Sequence, residues 1–75
     1  MTTNDDLVEV LNDLIRINND RIVGYEKAGE EARDIDVDLR AAFSKMADES
    51  RQYAAELTQH VVKLGGEPVT GTTNS

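Results

Sequence analysis

The chain has 75 residues, 39% of them hydrophobic, which is enough for one domain but too few to bury a large core without help. It contains no cysteine, so neither a disulfide framework nor a cysteine-based zinc site stabilises this small core. The formal charge of −7 repels a phosphate backbone, and two Tyr, one Phe and no Trp offer few stacking platforms. Nucleic acid is therefore not an expected partner.

The first residues, MTTNDDL, lack the basic and apolar regions of a signal peptide. No apolar run approaches the roughly 20 residues that a bilayer span requires. We therefore expect a cytoplasmic location and no membrane contact. The acidic balance is compatible with cation binding but is also the ordinary exterior of a soluble helical protein.

A stripe of apolar and small residues at steps of three, four or their multiples predicts a first helix over residues 5–33. The stripe consists of Leu7, Leu11, Leu14, Ile22, Tyr25, Gly29 and Ala32. Four further residues make it wider than one partner helix can cover: Val8, Val10, Ile15 and Ile17. Thr3 or Asn4 is the expected N-cap. Gly24 and Gly29 each cost about 1 kcal/mol relative to Ala, which indicates close approach of another helix.

The segment RDIDVD interrupts this pattern, and Asp36 is the expected N-cap of a second helix over residues 36–64. A connection this short predicts that the two helices run antiparallel as a hairpin. The second helix has a near-heptad repeat formed by Leu39, Phe43, Met46, Ser50, Tyr53, Leu57, His60 and Leu64.

Gly65, followed by Gly66 and Pro68, is a strong signal for the end of the second helix. Residues 67–75 show no periodicity and are expected to form a flexible tail. Residues 1–66 then constitute the helical hairpin.

Two helices of about 27 residues, each roughly 40 Å long, can bury only the strip along which they touch. The predicted fold is all-α: an antiparallel two-helix hairpin that self-associates into a four-helix bundle, as a homodimer or a larger even homo-oligomer. The predicted oligomer core consists of Leu11, Leu14, Asn18, Ile22, Tyr25, Phe43, Met46, Ser50, Tyr53, Leu57 and Leu64. Its two polar members, Asn18 and Ser50, are expected to fix register or oligomeric state by finding a partner across the bundle.

Four stretches carry a resemblance to a known family: LNDLIRINND, GYEKA, LRAAFSKMADESRQYAAEL and LGGEP. In this order and spacing, over roughly Leu7 to Pro68, they resemble a bacterial ferritin-like family of four-helix-bundle proteins, a domain of unknown function. Members of that family usually continue past the Gly-Gly-x-Pro linker into a second helix pair. The resemblance therefore covers the first pair only, and it implies that another chain takes the place of the second.

Ferritin-like di-iron sites use a carboxylate from each of two helices and a Glu-x-x-His from each of the other two. The candidate here has Glu49 followed three residues later by Gln52, whose amide cannot replace an imidazole. Asn18 also stands where a bundle-core carboxylate is expected. Both residues argue against a ferritin-type centre.

An alternative metal site combines Glu49, Glu56 and His60, which lie at i, i+7 and i+11 on one flank of the second helix. In this hypothesis the site lies between subunits and also includes Glu26 from the first helix. The competing interpretation is that His60 packs at the edge of the core while the carboxylates are solvated.

No nucleophile, base and orienting group occur in a catalytic arrangement, and no glycine-rich phosphate loop follows a strand pattern. The favoured hypothesis is a non-enzymatic oligomeric structural or interaction module without a cofactor. The alternative is binding or oxidation of iron, or binding of another divalent metal, at the intersubunit site.

Overall fold

The computed structural model describes residues 3–73 and contains two α-helices, α1 (Thr3–Ala32) and α2 (Val37–Lys63). Residues 33–36 join them, and the N–H groups of Ile35 and Asp36 donate to the Ala32 carbonyl at 3.0 and 2.9 Å. The two helices pack against each other, which confirms the predicted all-α hairpin. Neither helix of the described chain combines the length and apolar character needed to cross a membrane.

The beginning of α2 is capped as the sequence predicts. Asp36 has extended backbone angles, and its carboxylate accepts the Leu39 N–H at 3.0 Å. This bond satisfies one of the N–H groups that the first turn of a helix leaves free. In α1, Asn4 lies inside the helix and is therefore not its N-cap, whereas the side chain of Thr3, the other candidate, lies outside the described part of the chain. Residues 1 and 2 lie outside the described residues.

The end of α2 is a Schellman motif built on two glycines. The Gly66 N–H donates to the Val61 carbonyl and the Gly65 N–H to the Val62 carbonyl, both at 3.0 Å. Gly65 has φ of 82°, a left-handed conformation that disfavours any side chain. The predicted helix end at Gly65 is therefore confirmed, and its cause is the positive φ.

The residues that are buried in the hairpin are mostly small or polar. The buried residues are Ile15, Asn18, Ala32, Ala47, Ser50 and Val61. Among residues 4–73, only Ile15 and Val61 are large and fully buried, and each such side chain contributes about 1.5–3 kcal/mol. The hairpin by itself thus has a thin core.

Of the two α1 glycines expected to allow close helix approach, only one does so. A Cβ added at Gly29 would lie 3.6 Å from the Phe43 Cβ, whereas one added at Gly24 would meet nothing within 4 Å. The ring of Phe43 stacks on Tyr25 with centroids 6.4 Å apart. Gly29 therefore sits where the helices touch, and the expectation for Gly24 was wrong because that residue faces away from α2.

The molecule is a slab of 51 × 21 × 13 Å. Its smallest dimension is close to the diameter of one helix with side chains, about 10–12 Å. The hairpin is consequently a single layer, whereas stable domains pack at least two layers around a core.

Residues 67–73 follow α1, although the absence of periodicity predicted a flexible tail there. The Asn12 carboxamide donates to the Glu67 carbonyl and accepts the Val69 N–H, both at 3.0 Å. Further along, the Asn19 Nδ2 donates to the Gly71 carbonyl at 2.9 Å. Asp20 accepts hydrogen bonds from the N–H and hydroxyl groups of Thr73. Since four side-chain to tail contacts span this segment, it has a defined course along one flank of α1.

The two glycines at positions 24 and 66 should respond oppositely to alanine. A Cβ at Gly66 would lie 2.7 Å and 2.9 Å from the two methyl groups of Val8, so Gly66→Ala should lower the free energy of unfolding by about 1–3 kcal/mol. Gly24→Ala should raise it by about 0.5–1 kcal/mol, since space is open and alanine favours the helix. Urea unfolding at one fixed protein concentration measures both. Equal effects of the same sign would contradict the close approach at Gly66.

Candidate functional site

Large apolar side chains remain exposed along one side of the hairpin, which we call the apolar face. It consists of Leu7, Val10, Leu14 and Ile17 from α1 and Leu39, Met46 and Tyr53 from α2. Spacings of three, four and seven keep each set on one side of its helix. Leu14 and Tyr53 line the same depression, so the two sets share one side of the slab. The hairpin therefore presents an unpartnered apolar surface along this side.

A depression of about 340 Å³ interrupts the apolar face, and we call it the Asn18 depression. Its lining consists of Leu14, Asn18, Arg21, Tyr53, Glu56, Leu57 and His60. The Asn18 Nδ2 donates to the Leu14 carbonyl of its own helix at 2.9 Å, while its Oδ1 is buried without a hydrogen-bond partner in the described part of the chain. A buried unpaired acceptor costs about 1–3 kcal/mol. Bonding of Asn18 across the bundle stays a prediction.

The four predicted metal ligands do not come together in one chain. Glu56 and His60 line the Asn18 depression, Glu49 is exposed, and Glu26 pairs with Arg51 in a different depression. His60 lies nine residues beyond Arg51, about 13 Å along α2. Across residues 3–73, no group of three or more His, Asp or Glu side chains could hold a metal ion. A site between subunits, as predicted, stays a prediction.

The predicted oligomer core divides into three groups by exposure. Asn18 and Ser50 are buried between the helices. Six are half-buried at the helix contact: Leu11, Ile22, Tyr25, Phe43, Leu57 and Leu64. Three are exposed on the apolar face: Leu14, Met46 and Tyr53. The eight residues of the first two groups are thus at least half-buried in the hairpin itself. The three exposed residues remain available to a partner.

The side of the hairpin opposite the apolar face carries a depression of about 330 Å³, which we call the arginine depression. Its lining consists of Tyr25, Glu26, Gly29, Glu30, Arg33, Arg40, Ser44, Ala47 and Arg51. Arg51 and Tyr53 are two residues apart in α2, so they point to opposite sides of that helix.

Arg51 links the two helices at this depression. Its guanidinium hydrogen-bonds to Glu26 of α1 and, at 2.6 Å, to Asp48 of its own helix. The side chains of Arg51 and Glu26 are about half exposed, so water screens the pair and its contribution to stability is at most about 1 kcal/mol. The ion pair orients the guanidinium more than it stabilises the fold.

The sequence interpretation missed the residues that contact the tail and those that line the arginine depression. Asn12 and Asn19 are seven residues apart in α1, and Arg40 and Arg51 are eleven residues apart in α2. Such spacings place residues on one side of a helix, and among polar residues they were applied only to the candidate metal ligands Glu49, Glu56 and His60. Asparagines and arginines at helical spacings were the signal that could have identified the tail contacts and the arginine depression.

These features define an all-α protein built on an antiparallel helical hairpin with one polar and one apolar side. A family model described as a domain of unknown function, DUF2383, matches residues 6–75, and the chain belongs to this family. No curated protein and no solved structure matches the chain. Because the match runs through residues 67–75, the tail belongs to the region that the family model describes.

Adjacent asparagines provide a test of the buried Asn18 Oδ1, which has no hydrogen-bond partner in the described part of the chain. Asn18→Leu should raise the free energy of unfolding by about 1 kcal/mol or more, because it removes a buried acceptor without a donor. Asn19→Leu, the matched control, should lower it by about 1 kcal/mol, because it breaks the hydrogen bond to the Gly71 carbonyl. Denaturant unfolding monitored by circular dichroism measures both. Destabilisation by Asn18→Leu would show that Asn18 has a partner in the folded protein.

Proposed function

We propose that this protein is a non-enzymatic oligomeric module in which two hairpins join through their apolar faces into a ferritin-like four-helix bundle. The observation that carries the proposal is the apolar face on a slab one helix thick. Seven large side chains on that face remain exposed, and covering them requires a second layer.

A second copy of the hairpin is the occupant that fits this surface best. Both helices contribute apolar side chains along much of their length, so the partner must itself be about as long as the hairpin. A twofold contact lets each copy supply the cover that the other lacks. Two stacked antiparallel hairpins form an antiparallel four-helix bundle.

The other sides of the hairpin are less suited to association. The tail follows one flank of α1, held by Asn12, Asn19 and Asp20. The opposite side of the slab bears the charged lining of the arginine depression. Association through the apolar face alone closes on itself and gives a discrete assembly.

The role of the apolar face can be tested with two substitutions in α2 that are matched in exposure. Tyr53 is 56% exposed on the apolar face, and Val62 is 59% exposed nine residues later, on the opposite side of the helix. Tyr53→Glu should weaken self-association by about 100-fold or more, because each contact would bury unpaired carboxylates. Val62→Glu should leave it unchanged.

Sedimentation velocity over a concentration series measures the association directly. The unmodified chain should sediment at twice the 8.3 kDa mass of one chain, or at a larger even multiple. A folded 8.3 kDa species at tens of micromolar, or equal effects of the two substitutions, would refute association through the apolar face.

A second candidate function is metal binding between subunits. It is supported by Glu56 and His60, which both line the Asn18 depression on the face proposed to meet a second copy. A carboxylate and an imidazole one turn apart are suitable ligands for a divalent transition metal. Glu26 supports this candidate less, because its carboxylate is paired with Arg51 on the opposite side.

Iron(II) added under anaerobic conditions and then exposed to air tests this candidate. Metal binding predicts a rise in near-ultraviolet absorbance in the untagged protein, abolished by Glu56→Ala or His60→Ala. Glu67→Ala is the matched control, since Glu67 is exposed and lies outside the depression. No absorbance change and no shift in melting temperature with iron, zinc or manganese would eliminate the metal site.

A further inference from the structure

Three of the five arginines in this acidic chain line the arginine depression, on the side of the slab away from the apolar face. Two acidic side chains, Glu26 and Glu30, also line it, so its lining has a positive balance in a chain of net charge −7. From this arrangement we propose that the depression is an anion site that takes the phosphate group of a small molecule.

The first support is that two of the three guanidiniums have unused donors. Arg33 approaches Glu30 and Asp34 only at 3.7 Å, beyond hydrogen-bonding distance. In the described part of the chain, Arg40 makes no ion pair. Each guanidinium carries five N–H donors in a fixed fork. These two arginines can therefore donate to a ligand without giving up an internal hydrogen bond.

The third guanidinium is already oriented. Arg51 is held by Glu26 from α1 and by Asp48 from the preceding turn of α2. Arg33 follows the end of α1, while Arg40 and Arg51 belong to α2. The positive charges thus come from both sides of the helix junction and converge on one depression of about 330 Å³.

Phosphate fits this arrangement better than a carboxylate does. A carboxylate offers two oxygens in one plane, which a single guanidinium fork can engage together, whereas a tetrahedral phosphate offers oxygens in several directions to several guanidiniums. The lining also includes Ser44 and Tyr25, whose hydroxyl groups are neutral donors for further oxygens. The depression of about 330 Å³ is larger than a phosphate ion and therefore has room for an organic group beside the phosphate.

Binding at this site is independent of self-association. The arginine depression and the apolar face lie on opposite sides of the slab, so a bundle formed through the apolar face leaves one open depression on each copy. Because the arginines are partly exposed, the affinity for inorganic phosphate should be weak, with a Kd on the order of 1 mM.

Titration with inorganic phosphate at constant ionic strength, followed by backbone and arginine side-chain NMR resonances, tests the proposal. Saturable shifts should cluster at Arg33, Arg40, Ser44 and Arg51, and chloride should not reproduce them. A glycerol phosphate titration compares inorganic phosphate with a phosphate monoester, and the monoester should bind more tightly.

Arg40→Gln should weaken phosphate binding by about fivefold, the upper range for an exposed charge pair. The matched control is Arg16→Gln, which changes the net charge equally but lies sixteen residues, about 24 Å, before the end of α1 and pairs with Asp13.

Tyr53→Glu should leave phosphate binding intact, which separates this site from the proposed assembly. Equal weakening by Arg16→Gln, or shifts that do not saturate, would show charge attraction only and overturn the proposal.

Discussion

Two long amphipathic helices form a layer that is one helix thick, so the apolar side chains on one side of this layer stay exposed to water. This exposure is the constraint on which the rest of the structure depends. In the described part of the chain the helices bury two large apolar side chains fully, Ile15 and Val61, and the other buried residues are small or polar. The conformational entropy lost on ordering the backbone, about 1–2 kcal/mol per residue, opposes folding, and further apolar burial offsets it. The apolar face is where the additional burial is available.

In the proposed assembly, the polar side of the slab makes association directional. The tail follows one flank of α1, and the arginine depression with its charged lining occupies the side away from the apolar face. Polar surface resists burial, because each charged or hydrogen-bonding group loses water when it is covered. The distribution of polarity thus leaves one surface suited to a partner and one suited to a solvated ligand.

The close contact between the two helices also encloses a polar side chain, the carboxamide of Asn18. Gly29, Ala47 and Ser50 let the two backbones approach, and the same narrow interface encloses the Asn18 carboxamide with one acceptor unpaired. Small side chains reduce the apolar area that the contact can bury. The Asn18 carboxamide therefore lies among buried residues that are mainly small, and a second copy is proposed to add the apolar burial that these residues do not provide.

Local chemistry in the sequence was sufficient to predict the two helices, the hairpin, the Asp36 cap and the Gly65 stop. Each of these follows from periodicity, a capping side chain or a left-handed backbone conformation within a few neighbouring residues. The sequence also indicated that the apolar stripe was too wide for one partner, because stripe width is a property of a single helix.

Only the tertiary structure decided which residues from distant parts of the chain share a surface. It put Glu26 beside Arg51 rather than beside His60, and it laid the tail along Asn12 and Asn19. These contacts join residues 25 to 57 positions apart. Their pairing depends on how far α2 is shifted along α1 and on which flank the returning tail follows, and neither quantity is encoded in the period of one helix.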